Sequence, residues 1–360
     1  TVPNRPPCNS VAWFCTKATI CNTKAKNVHV SLEPIPGRPM AVLTVSDDDP
    51  EGFIEFSHAW TLFAESLKKK DPTLRGRFNM GEKLVIAYCV ETGGSVEILT
   101  TSGGYHFSKE GGRKKLRTKT KAGSQVTCEF RASKSTLESL KKAASALIPP
   151  PKVKTLVNGS ELAHRRPLAS CTATLPTVAV NEDGELFKTA RKTSVEVYDP
   201  QAGESPMIYA VGIPVVENPT NYHINILQKV PLNFERDNVT PSYNNKVCGL
   251  TVNLTIDSMD EDDVREAYVE KALGSGECSK GTVVKLRDLM HGPDAVVHDP
   301  NNPEASARAE AEGRQVVRGG NHSKDGWGVI RDKAPMPSAS SEYPKGSSQV
   351  SHSASASSRL

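Results

Sequence analysis

Three consecutive prolines, Pro149-Pro150-Pro151, divide the chain. A proline lacks the amide hydrogen a helix needs and its ring clashes with the preceding turn, so no helix runs through three of them. The stretch before them opens with the capping-box pattern Ser135-Thr-Leu-Glu138 and stays helix-like to Leu147. It reads as a helix that stops here, with residues 148–154 as a domain boundary. At 360 residues, both sides are long enough to bury a core of their own.

Upstream of the boundary, Val28, Val30 and Leu32 alternate with polar residues, Pro34-Ile-Pro-Gly-Arg-Pro39 turns the chain, and Ala41 to Ser46 returns. That is a hairpin pattern. Ser57 is a good N-cap for a helix carrying Trp60, Phe63, Ala64 and Leu67. The apolar run Leu84 to Cys89 predicts a buried helix, followed by strands at Val96–Thr100, Tyr105–Phe107 and Gln125–Phe130. Together these predict helices over one largely antiparallel sheet. Downstream, strands are expected at Val195–Tyr198, Met207–Val211, His223–Leu227 and Val230–Phe234, and helices near Asp260–Leu273 and Asn302–Glu312. From Ala334 onward Pro, Ser, Lys and Gly dominate, which predicts a disordered tail.

Hydrophobic residues make up 37% and charged residues 24%, and no apolar run approaches the roughly 20 residues of a membrane span, so a soluble chain is expected. Eight scattered cysteines without a CxxC pair read as reduced, mostly buried thiols of a cytoplasmic protein, and a length of 360 residues excludes a tiny disulfide-stapled scaffold. The missing initiator Met before Thr1 reads as an absent or processed start. With 45 basic and 41 acidic residues the net charge is only +4, so charge has to be read locally.

Locally, four stretches could carry chemistry. Val45-Ser-Asp47-Asp-Asp-Pro-Glu-Gly52-Phe53 runs a strand into acids and a glycine. A strand-end carboxylate can accept a hydrogen bond from an exocyclic amine while Gly52 admits a ring; an Asp-rich turn or a cation loop is the alternative. Arg75-Gly76-Arg77-Phe-Asn-Met-Gly81-Glu-Lys83 places two glycines before an apolar helix. Amides at such a helix start suit a polyphosphate, and Arg77 or Lys83 could add a full charge, although the spacing is not that of a Walker A loop and a purely structural loop fits as well. Gly123-Ser124 opens a strand, where a hydroxyl could reach a base or a water, or merely make a turn. Last, Tyr222 to Asp237 reads as strand, lysine loop and strand around Lys229, which is otherwise a solvated strand-end lysine.

The order of these stretches resembles the nucleotide-binding domain of the GHKL superfamily, which comprises gyrase B subunits, heat-shock chaperones, histidine kinases and MutL proteins. The likeness covers about residues 15–245 and looks closest to bacteriophage GHKL-type ATP-binding proteins. It implies an α+β fold, a GHKL-type α/β sandwich over residues 1–148 followed by an S5-like transducer at 155–250, a C-terminal α/β extension at 251–333 and the tail at 334–360. By the same resemblance Asp47 is the adenine-binding aspartate, Gly52 the glycine of its box, Gly76 and Gly81 the lid glycines and Ser124, beside Gly123, the hydroxyl of the final box. Lys229 matches the lysine that reaches the terminal phosphate. ATP with Mg2+ would be the ligand, and a nucleotide-dependent homodimer the assembly.

Two departures qualify that picture. The first helix of the superfamily carries a water-activating Glu and a magnesium-holding Asn, yet those positions fall near Cys15 or Thr16 and at Thr19, with Asn22 only a partial substitute. The second box has Asp49 in place of a glycine and Glu51 inserted before Gly52. Binding is therefore expected to outlive catalysis, and a non-catalytic pseudo-ATPase that binds nucleic acid or protein is the alternative. Its candidate surface is Lys109–Lys121, whose alternating cations suit DNA, RNA or another protein, or simply a solvated edge strand.

Overall fold

A computed structural model describes residues 25–50, 56–61, 81–180, 186–233 and 238–344. The chain is a mixed α+β protein built on large, mainly antiparallel sheets, and it divides into two compact units, residues 1–240 and 241–360.

The first unit opens with the expected hairpin, β1 (Asn27–Pro34) and β2 (Met40–Asp47), paired from Val28↔Asp47 to Pro34↔Ala41. Gly37, at φ +73°, supplies the left-handed residue of the turn. Helix α1 (Gly81–Glu91) follows, then β3 (Ser95–Thr100), β4 (Gly103–Ser108), β5 (Gly112–Leu116) and β6 (Ser124–Arg131). Helix α2 (Lys134–Ser145) leads to β7 (Lys154–Val157) and β8 (Ser160–Glu161). These strands form one sheet in the order β5-β4-β3-β6-β2-β1-β7-β8, antiparallel except where β7 runs parallel to β1. Alternation puts Val28, Val30, Leu32, Leu43, Val45, Val96, Ile98, Cys128 and Phe130 on one face, where they form a core with Val85, Cys89, Leu137 and Leu140 of the two helices. The opposite face is half-buried and polar, with Ser31, Thr44, Glu97 and Thr127.

Two local expectations need correcting here. Helix α2 is capped by Ser133, whose Oγ accepts the Thr136 amide at 3.1 Å, and not by Ser135. Ser133 has Thr136 rather than an acid three residues on and so carries no capping-box signal, and Glu138 instead pairs with Lys141 at 3.4 Å. In α1, Leu84 is 57% exposed, so the apolar run is not buried throughout.

A second sheet, β12-β11-β13-β10-β9, comprises β9 (Ala169–Val180), β10 (Leu186–Tyr198), β11 (Met207–Ala210), β12 (Ile213–Glu217) and β13 (His223–Ile226). Residues 230–233 add no strand; Leu232 makes a single bridge to Val239. Between β11 and β12 a two-residue turn places Val211 at φ +52° and Gly212 at φ +77°. The turn is held from three sides: Val211 N–H donates to Ile226 O, Gly212 N–H to Asn225 Oδ1, and Gly212 O accepts the Ile148 amide at 2.9 Å. At the other end of β11 and β13, where the Met207 amide donates to His223 Nδ1, Glu204 pairs with both ends of the Arg165 guanidinium and sits 3.0 Å from His223 Nε2.

The second unit is largely helical: α3 (Pro241–Thr255), α4 (Ala267–Gly274), α5 (Lys280–His291), α6 (Pro303–Ala311), α7 (Lys324–Lys333) and α8 (Ala339–Glu342). The helix expected over Asp260–Leu273 is broken, because Asp260 Oδ1 accepts the amides of Asp262 and Asp263 and turns the chain before α4 begins. Cys248, Val252, Val269, Leu273, Val283, Leu286 and Ile330 form its core. β14 (Val296–Val297) and β15 (Val316–Val317) pair in parallel around α6. The tail expected to be disordered from Ala334 is ordered through residue 344. Its few apolar groups are well placed: Ala334 is buried against Ile330, and Ala339 packs in a small core with Val296, Ala305 and Ala309. The rest of that tail, 345–360, lies outside the described residues. No described helix is long and apolar enough to cross a membrane.

Candidate functional site

On the core face of the first sheet, odd positions of β2 and even positions of β3 and β6 point inward. Leucine and valine fill those positions until the strands reach one end of the sheet, where a polar row replaces them: Thr100 on β3, Ser124 on β6 and Asp47 on β2. Thr100 is fully buried and Ser124 is 9% exposed. Two residues along each strand lies an apolar row of Ile98, Val126 and Val45 on the same face. The result is a polar rim resting on hydrophobic support.

Asp47 is fixed asymmetrically. Its Oδ1 accepts the Asp49 amide at 3.0 Å and the Ser124 amide at 3.3 Å, whereas Oδ2 has no hydrogen-bond partner among the described residues. Burial raises the Asp47 pKa above the ordinary aspartate value, against the pull of those two amides, and the neighbouring carboxylates of Asp49 and Asp48 add to the rise. Asp48 turns the other way and ties down the start of β1: Oδ1 accepts the amides of Lys26 at 2.7 Å and Asn27 at 2.9 Å, and Oδ2 accepts Asn27 Nδ2. Burial works against its ionisation, but these hydrogen bonds outweigh it and hold its pKa below the usual value.

Gly123 packs directly against Asp47. It has φ +67°, and a Cβ there would lie 1.8 Å from the Asp47 carbonyl oxygen. Thr120 braces the turn, its Oγ1 donating to Gly123 O at 2.8 Å and its amide to Thr100 O at 3.0 Å. Thr100 itself accepts the Ser102 amide on Oγ1. Neither threonine stands out in the sequence; the usable signal for Thr100 is a hydroxyl ending an inward-facing apolar series.

Gly81 opens α1, and Lys83 lies in its first turn, where burial lowers its pKa. After the helix, Gly94 N–H bonds to Cys89 O at 2.9 Å and the chain reverses directly into β3. Helix α1 therefore runs back along β3, and its N-terminal end lies towards the Thr100–Ser124–Asp47 end of the sheet. An ammonium in a first helical turn faces the positive end of the helix dipole, an arrangement that an anion would relieve.

The structure thus brings together Asp47, Gly123 and Ser124, and directs Gly81 and Lys83 to the same end. Gly52, Gly76 and Arg77 lie outside the described residues, as do Cys15, Thr16, Thr19 and Asn22. Lys229 lies in the loop that follows β13 of the second sheet, with its carbonyl accepting Thr177 Oγ1 at 2.8 Å. Among the described residues no group of three or more His, Cys, Asp or Glu side chains is placed to hold a metal ion.

No protein-family model matches the chain, and a search of curated proteins finds no match. Solved structures similar to it include the ATPase region of Saccharomyces cerevisiae topoisomerase II, at 9% identity and a TM-score of 0.41, covering 64% of this chain and 75% of that one. The same region bound to ICRF-187 (dexrazoxane) is 10% identical with a TM-score of 0.36, over 61% of this chain and 70% of that one. The ATPase and transducer domains of topoisomerase II from Balamuthia mandrillaris are 13% identical with a TM-score of 0.32, over 56% of each chain.

Proposed function

We propose that this is an ATP-binding protein of the GHKL type, in which Asp47 recognises the exocyclic amine of adenine. The observation that supports it is the divided carboxylate: Oδ1 is held by the backbone amides of Asp49 and Ser124, while Oδ2 has no hydrogen-bond partner among the described residues and lies at the edge of an apolar floor. A purine ring asks for that pairing of flat hydrophobic support and one directional acceptor. Gly52 would let the ring approach the backbone, and Ser124 would meet it from β6.

The phosphates would sit in the loop bearing Gly76, Arg77 and Gly81, with Lys83 supplying charge and Lys229 reaching the terminal phosphate from an S5-like transducer at 155–250. Mg2+ would accompany the triphosphate. The output would be conformational, the lid closing and moving the second sheet, with a homodimer formed in the nucleotide-bound state. The nearest kin would be bacteriophage proteins of this type. Because the first-helix positions near Cys15, Thr16 and Thr19 carry neither Glu nor Asn, hydrolysis would be weak or lost, a general base being worth roughly 100- to 10,000-fold in rate.

That absence also favours a second reading, a pseudo-ATPase whose pocket is vestigial and which acts as a nucleic-acid- or protein-binding module. Thermal unfolding separates the two, since a ligand at 100 times its Kd adds about 2.7 kcal/mol of stability. For the first reading, calorimetric titration of ATP and Mg2+ into the wild type and Asp47→Ala is decisive. Losing one charge-assisted hydrogen bond, about 1.5 to 3 kcal/mol, weakens binding roughly 10- to 150-fold. Equal affinities remove Asp47 from the site, and a wild type that takes up no ATP removes the function.

A further inference from the structure

The strand β5 ends the eight-stranded sheet, and its residues Gly112 to Lys115 are all exposed. With the flanking turn and loop it carries Lys109, Arg113, Lys114, Lys115, Arg117, Lys119 and Lys121, every one of them exposed, against a single acid, Glu110. Lys109 approaches Glu91 at 4.0 Å. None of the other six cations has a carboxylate partner among the described residues. Arg113 lies over the Trp60 ring, 4.2 Å from its centroid, which fixes the guanidinium without neutralising it.

One or two lysines are enough to stop an edge strand from pairing with a neighbour. Six uncompensated cations within nine residues go well beyond that need and repel one another, which costs folding stability. We infer that the β5 edge and the loop to Lys121 form a docking surface for the phosphate backbone of nucleic acid, read without regard to sequence.

Placement on the strand decides among polyanions. Register pairs Arg113 with Phe107 and Lys115 with Tyr105, on the face that holds Trp60, whereas Lys114 pairs with His106 and emerges on the other face. A flat anionic bilayer can meet only one of those faces, while a groove flanked by two phosphate strands can meet both. Lysine is depleted at protein–protein interfaces, which need buried aromatic or aliphatic anchors. Residues 109–121 expose no large apolar side chain. Nucleic acid is the polyanion that fits.

The test is fluorescence anisotropy of a labelled 20-base-pair duplex with the full-length chain across 50–200 mM salt. Each phosphate contact contributes about −0.9 to the slope of log K against log salt. Replacing Arg113, Lys114, Lys115 and Arg117 together by Gln is expected to flatten that slope by about 3.6 and weaken binding at least about 100-fold at low salt. Its melting temperature is expected to stay close to the wild-type value, because relief of the mutual repulsion offsets the lost Arg113–Trp60 stacking. A second variant, Lys119→Gln with Lys121→Gln, lies outside the strand and is expected to lose about 2 of slope. Wild-type protein that does not bind the duplex overturns the inference, as does a slope unchanged in both variants. Equal retention on anionic vesicles or on polyglutamate overturns the choice of nucleic acid.

Discussion

Gly123 and the carbonyl of Asp47 touch so closely that residue 123 has no room for a side chain: an added Cβ would lie 1.8 Å from the Asp47 oxygen and 2.9 Å from its Oδ1. The same residue has φ +67°, a conformation that costs an alanine about 1 to 2 kcal/mol. Gly123→Ala is therefore expected to force β2 and β6 apart at the Asp47 end and to lower stability by at least about 2 kcal/mol, read by urea unfolding. Wild-type stability in that variant would show that the two strands are not in contact.

The Arg165–Glu204–His223 group makes the first unit acid-sensitive. The Arg165 guanidinium, helped by His223 and opposed by burial, holds the Glu204 carboxyl at about 2, below its ordinary 4.5. A carboxyl whose folded pKa is depressed contributes stability that is complete above about 4.5 and is lost as the pH falls towards 2. Glu204→Gln is expected to lose about 2 to 3 kcal/mol at neutral pH, because Arg165 is left without its partner, and to show a flatter stability profile between pH 4.5 and 2. Denaturant titrations at several pH values check both effects.

In the second unit His291 Nε2 lies 2.8 Å from His322 Nε2, and His322 Nδ1 lies 3.0 Å from Glu270 Oε2. Burial, with the nearby His322 charge adding to it, lowers the His291 pKa to about 4 from 6.5. Here the unfolded chain takes up the proton first, so stability is complete above about 6.5 and declines as the pH falls to about 4. Proton NMR is expected to show an imidazole titrating near 4, and His291→Gln to remove that part of the decline. A ring titrating near 6.5 would contradict the buried placement.

Val211 occupies a left-handed position, φ +52°, that β-branched residues avoid. Val211→Asn keeps the backbone and removes the steric conflict, so a gain of about 0.5 to 1.5 kcal/mol is expected in urea unfolding. A loss would mean that packing of the valine side chain outweighs the strain.

How much of this was readable beforehand depends on whether the cause is local. The β1–β2 hairpin follows from the alternation of Val28, Val30 and Leu32 around a Pro-Gly turn, and β3, β4 and β6 follow from similar short patterns. The long β9–β10 pair was legible only at Val195–Tyr198. Its outer half mixes Thr, Ala and Lys, and Pro176 sits inside β9, which is tolerated there because β9 is an edge strand. Asp47 and Ser124 were found separately, by a strand ending in acids and a glycine opening a strand. Their shared hydrogen bond spans 77 residues, and Thr100 and Thr120 carry no local mark at all. Glu204 and Arg165, 39 residues apart, meet for the same reason: the sheet, and not the neighbouring sequence, brings them together.

The parallel pairing of β7 with β1 bears on how the protein can be cut. Past the three prolines the chain returns to cover the outer side of β1, with Lys154 N–H donating to Lys26 O, Asn158 N–H to Val30 O, and Asn158 Oδ1 accepting the Leu32 amide. A fragment truncated at Leu147 would strip β1 of those partners and leave it as a bare rim, ready to stack on its own copies. The shortest clone that keeps this sheet sheathed has to run past residue 161.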